Sequence, residues 1–97
     1  MSSSKEFKDF ILDQLKDLYN VRSKPMMGEF LLYYDDVLFG GIYDNRLLIK
    51  MTDSNKKYHL SQEIPYPSAK PMYMVENLDD TQHLTKLIQE TCNDLKK

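Results

Sequence analysis

Residues 29–51 read EFLLYYDDVLFGGIYDNRLLIKM, and this stretch decides the fold. Three runs of strand formers, Phe30 to Tyr34, Val37 to Tyr43 and Arg46 to Met51, are separated by Asp35-Asp36 and Asp44-Asn45. Asp and Asn tolerate the left-handed backbone that two-residue hairpin turns demand. The stretch therefore predicts a three-strand antiparallel meander. Such turns also set the register. Tyr34 faces Val37, Leu32 faces Phe39 and Phe30 faces Gly41; in the second hairpin Tyr43 faces Arg46, Ile42 faces Leu47 and Gly40 faces Ile49.

Facing residues share a side of a sheet and neighbours alternate. One side then carries Leu31, Tyr33, Leu38, Gly40, Ile42, Leu47, Ile49 and Met51 and is expected to face the core. The other carries Phe30, Leu32, Tyr34, Val37, Phe39, Gly41, Tyr43, Arg46, Leu48 and Lys50, more apolar than a solvated face should be. A large exposed apolar patch marks an interaction site. Phe30, Leu32, Phe39 and Tyr43 are thus the candidate contact residues, through which a partner protein or a second copy would dock. The competing expectation is that the long loop and a helix of the same chain cover this side.

Working outward, Ser3 to Tyr19 predicts an amphipathic helix, with Ser3 and Glu6 at capping-box spacing and Phe7, Phe10, Ile11, Leu15, Leu18 and Tyr19 in one stripe. Asn20 suits its end. Pro25 argues against a regular central strand over Val21 to Gly28, and Gly28 suits a bend or bulge. Gly40-Gly41 lies within a strand, so it is no phosphate loop; Phe30 or a helix side chain is expected to fill the space above it. Thr52 to Leu60 predicts a short helix, Ser61 to Lys70 a loop whose Ile64 and Tyr66 can lie on the sheet, and Pro71 to Glu76 a fourth strand. Asp79 to Leu95 predicts a long helix capped by Asp79 with Gln82, burying Leu84, Leu87, Ile88, Thr91 and Leu95; Lys96 and Lys97 suit its negative end. The expected fold is α+β: two layers, with an antiparallel sheet of a three-strand meander and a further strand packed against N- and C-terminal helices.

Ninety-seven residues are expected to form one domain, residues 1–97. With 41% hydrophobic and 29% charged residues, the composition is that of a soluble globular protein. A net charge of -2 argues against nucleic acid as a direct ligand. The lone cysteine, Cys92, forms no internal disulfide, and no apolar run has signal-peptide or membrane-spanning length; the expected compartment is the cytoplasm. No constellation points to catalysis, a metal or a cofactor. His83 and Cys92 lie nine residues apart, about half a turn out of phase on one helix. Cys92 reads as a structural thiol, His83 as a surface residue, Asp35, Asp36 and Asp44 as turn formers, and the seven tyrosines as packing or interface residues.

The segment KPMMGEFLLYYDDVLFGGIYDNRLLIK, followed by PYPSAKPMYMVENLDD and a final helix, resembles the N-terminal domain of the TfoX/Sxy competence regulators over nearly the whole chain. Met26, Met27, Gly28, Phe39, Leu47 and Lys50 take the places of that family's signature, with Met27 where Phe is usual. The resemblance implies a two-layer α+β fold in a bacterial cytoplasmic protein, without known catalytic residues. Longer members add a C-terminal helical domain and regulate natural competence; this chain looks like a stand-alone N-terminal domain. The expected function is a non-enzymatic regulatory or protein-interaction domain. The alternatives are a nucleic-acid-associated transcriptional regulator and a small enzyme.

Overall fold

The computed structural model describes residues 3–96. In chain order the elements are α1 (Lys5–Gln14), β1 (Val21–Met26), β2 (Glu29–Tyr34), β3 (Val37–Tyr43), β4 (Arg46–Ile49), a 3-10 turn (Lys56–Tyr58), β5 (Ser61–Glu63), β6 (Met72–Val75) and α2 (Thr81–Leu95). The six strands form one antiparallel sheet in the order β1-β2-β3-β4-β6-β5. Both helices pack on one side of it, in a core that joins Ile11, Leu15, Leu84, Leu87 and Ile88 to sheet residues such as Leu32 and Leu47. Of the stripe expected for the first helix, Phe10 and Tyr19 are exposed. The fold is α+β, as expected.

The Asp-rich turns behave as their chemistry demands. Asp35, Asp36, Asp44 and Asn45 all take positive φ, between 52° and 65°. The meander has a fourth strand, because Met27 and Gly28 form a third two-residue turn at φ 51° and 86°. Val21–Met26 is an edge strand, where the missing N–H of Pro25 can be tolerated. The predicted short helix over Thr52 to Leu60 reduces to the 3-10 turn, and Ser61–Glu63 pairs with β6 instead of looping free. Both helix caps shift by one residue: Ser4 accepts from Phe7 N at 3.1 Å and Asp80 from His83 N at 3.1 Å. Asn20, six residues past the last residue of α1, is left-handed at φ 68°. Lys97 lies outside the described residues.

The second hairpin has the expected register, Gly40 opposite Ile49 and Tyr43 opposite Arg46. The first does not. Tyr34 pairs with Val37 and Tyr33 with Leu38, but Leu32 then pairs with Gly40 and Phe30 with Ile42. Phe39 is the extra residue of a bulge. A bulge sets two residues against one, so alternation breaks at that point. Phe39 and Ile42, on opposite sides under strict alternation, both enter the helix-side core with Phe30, Leu32, Tyr34, Leu47 and Ile49. Leu31, Tyr33 and Leu38, expected in the core, face the other side with Leu48 and Tyr43. The space above the paired glycines is also filled differently. A Cβ on Gly41 would lie 2.7 Å from the Tyr43 ring, so Tyr43 covers it.

Beyond β4 the chain is clamped to α2 by polar contacts. The fully buried Asn55 accepts from Thr52 N at 2.9 Å and donates to Lys50 O at 2.9 Å and Thr91 Oγ1 at 3.0 Å; Thr91 donates to Leu87 O. At the other end, Ser3 donates to the Glu29 carboxylate at 2.5 Å while its Oγ accepts from Asn45 N. Replacing Asn55 with Leu strips a partner from the part-buried Lys50 carbonyl and from the buried Thr91 hydroxyl. We expect Asn55→Leu to lower stability by about 2–4 kcal/mol, read from urea unfolding with an unchanged slope.

Candidate functional site

The helix-free face of the sheet is where this fold leaves apolar chemistry within reach of a ligand. Its centre is closed: Leu48 is fully buried, although it lies outside the helix-side core. Around it Met26, Leu31, Leu38 and Met72 remain half-buried. Segment 64–71 arches over part of this surface. Pro65 and Pro67 stiffen it, and the Tyr66 ring lies 6.1 Å from that of Tyr43 at an interplanar angle of 48°. Burial pushes the Tyr43 phenol pKa up, with smaller contributions from Tyr66 and Glu29.

Between arch and sheet runs a groove with two lobes. The larger, about 830 Å³, is floored by Leu31, Leu38, Tyr43 and Met72 and flanked by Lys50, Met51 and Lys70. The smaller, about 570 Å³, continues past Tyr43 to Met27, Glu29, Asp44 and Arg46. Met26, Tyr43, Pro65 and Tyr66 line both. Two of the three charged side chains in the smaller lobe, Glu29 and Arg46, are engaged within the chain. Glu29 accepts from Asp44 N and Ser3 Oγ, and Arg46 pairs with Glu63 at 3.3 Å. Among the described residues no carboxylate lines the larger lobe.

The four expected contact residues do not share a surface. Leu32 and Phe39 are fully buried beneath the helices, and Phe30 packs against the same core with Lys8 Nζ 5.6 Å from its ring centre. Only Tyr43 is on the helix-free face. The bulge is the physical reason, since it moves Phe39 relative to Tyr43. The residues that reading missed as surface, Leu31 and Leu38 above all, carry a signal in Gly40-Gly41, because glycine pairs within strands often mark bulges. The competing expectation, cover by a helix and the long loop, holds residue by residue: the helices cover Phe30, Leu32 and Phe39, and Tyr66 of the loop covers Tyr43, while Ile64 is 49% exposed.

The titratable cluster lies elsewhere, where the 3-10 turn meets α2. Tyr58 donates to the Glu90 carboxylate, Lys57 Nζ is 2.8 Å from the same group, and the His83 ring stands edge-on to Tyr58 at 5.3 Å. Neither lobe of the groove is lined by a histidine. Cys92 is fully buried on α2, and burial pushes its thiol up to about 11, the setting of an inert thiol. Among the described residues no three His, Cys, Asp or Glu side chains are placed to share a metal ion, and no helix is long and apolar enough to cross a membrane.

Desolvation first, and then Glu90, push the Tyr58 phenol from 10.0 up to about 12. A group whose folded pKa is raised adds stability that is complete below its unfolded pKa and is lost as pH rises through the folded one. The advantage of the wild type over Tyr58→Phe should therefore hold up to about pH 10 and shrink between there and about pH 12. Denaturant unfolding across that window measures it, and tyrosinate absorbance should show that Tyr58→Phe lacks a late-titrating phenol.

The chain is similar to a protein from Spirochaeta aurantia described as an uncharacterized 12.7 kDa protein in the trpE 5' region. Identity is 34% over 80 residues, covering 80% of this chain and 70% of that one. The family model described as TfoX N-terminal domain matches residues 13–94, from the end of α1 through nearly all of α2. With its meander, flanking helices and matched span, the chain belongs to the TfoX N-terminal domain family.

Proposed function

We propose that this chain is a non-enzymatic regulatory domain that works by binding protein through the helix-free face of its sheet, in the manner of a competence-related regulator. The observation that carries the proposal is the apolar groove over Leu31, Leu38, Tyr43 and Met72, left open beside the Tyr66 arch. Family membership supports the regulatory part. Clefts lined by methionine adapt to partner surfaces, because the unbranched thioether repacks easily. The net charge of -2 gives no general attraction to nucleic acid, and Arg22 on this face is already paired with Asp36.

Two substitutions separate contact from folding. Leu38→Asp places a charge on the half-buried groove floor and should keep the circular dichroism spectrum and a cooperative melt. It should abolish association, seen as loss of specific co-purifying protein or of self-association in sedimentation. Leu32→Asp buries a charge in the core at a cost of several kcal/mol, comparable to the stability of a small domain, and should prevent folding. Retention of every partner and of the native mass by folded Leu38→Asp would reject the proposal.

A further inference from the structure

We infer that the groove takes an extended segment of a partner protein, bearing alternate apolar side chains and ending in a carboxylate seated between Lys50 and Lys70. This rests on the protein-binding reading above and names the chemistry of the partner. The first support is shape. The two lobes adjoin, sharing Met26, Tyr43, Pro65 and Tyr66 as walls. Sites for small molecules occupy about 300–1,000 Å³; a single lobe would suffice for one, and two adjoining lobes that share walls suit a chain. The second support is charge. Arg46, in the smaller lobe, is held by Glu63. Lys50 and Lys70, on the larger lobe, have no ion-pair partner among the described residues. They flank an apolar floor without any carboxylate of its own.

An acidic group arriving there gains charge-assisted hydrogen bonds and breaks none already made. At the opposite end Glu29 and Asp44 would repel it, which fixes the direction in which the segment lies. In an extended segment alternate residues face the same way. Two apolar anchors at alternate positions would meet the floor at Tyr43 and Leu38, and an acid two residues further on would meet the lysines.

The test uses the folded chain labelled with nitrogen-15 and three synthetic peptides: acetyl-Leu-Thr-Phe-Thr-Asp-amide and the same peptide ending in Asn or in Lys. Amide shifts of Leu31, Leu38 and Met72 should move with the Asp peptide, and affinity should fall about three- to tenfold for the Asn peptide. The double variant Lys50→Glu/Lys70→Glu, changed only at the rim, should lose preference for Asp and gain it for Lys. Equal affinity for all three peptides would overturn the carboxylate seat while leaving the protein-binding reading intact. Absence of groove shifts at millimolar peptide would overturn the segment proposal; the Leu38→Asp association assay then decides the broader reading separately. Groove shifts that grow with protein concentration alone would identify a second copy as the occupant and also overturn it.

Discussion

One surplus residue in β3 governs the arrangement of everything else. The bulge at Phe39 lets Leu32, Phe39 and Ile42 point the same way, toward α1 and α2. Without it, a strictly alternating strand would send Ile42 and Phe39 to opposite sides, and the helices would meet a poorer floor. Gly40 belongs to the same device. A Cβ there would lie 2.8 Å from Ile49 Cα, so the close approach of β3 and β4 beside the bulge requires its absence. Core formation and the composition of the helix-free face are therefore set by the same local irregularity.

Polar contacts then hold the helices over the sheet. The start of α1 is tied to two turns, with Ser3 N donating to Gly28 O and Ser4 N to the Asn45 side chain. Along α2, Ser54 reaches the Glu90 carbonyl oxygen and the Asp94 carboxylate, beside the Asn55 node. The buried Asn55–Thr91 contact holds one geometry because leaving either group unpaired costs about 1–3 kcal/mol. The other side of the sheet is covered mainly by apolar contact, Tyr66 on Tyr43. Segment 64–71 thus shields part of that surface through fewer directional bonds than the helices use.

Much of this architecture is legible in the residues themselves. Asp35-Asp36 and Asp44-Asn45 announce their turns because few other residues accept positive φ. Helical spacing places Leu84, Leu87, Ile88 and Thr91 of α2 correctly, with Leu95 only partly buried, but it overextends the first helix, which ends at Gln14 and leaves Phe10 38% and Tyr19 91% exposed. Met27-Gly28 is harder to read, since methionine is seldom found left-handed; the turn there is imposed by pairing of β1 with β2. Ser61–Glu63 has no strand pattern of its own and exists through its ladder to β6. The groove escapes a period-two reading for a different reason. Alternation assigns sides only while register is continuous, and one inserted residue reassigns the strand beyond it. Turns read correctly thus gave the hairpins, while the side facing a partner depended on a feature that neither turn encodes.

The placement of Pro25 carries a consequence for behaviour at high concentration. β1 borders the sheet with a residue that cannot donate a backbone hydrogen bond, and its Arg22 and Lys24 are exposed. The opposite border, β5, is only three residues long. Both rims are therefore poor templates for stacking chain upon chain into fibrils. A protein that keeps an oily cleft open can stay colloidally dispersed when its borders refuse to propagate the ladder.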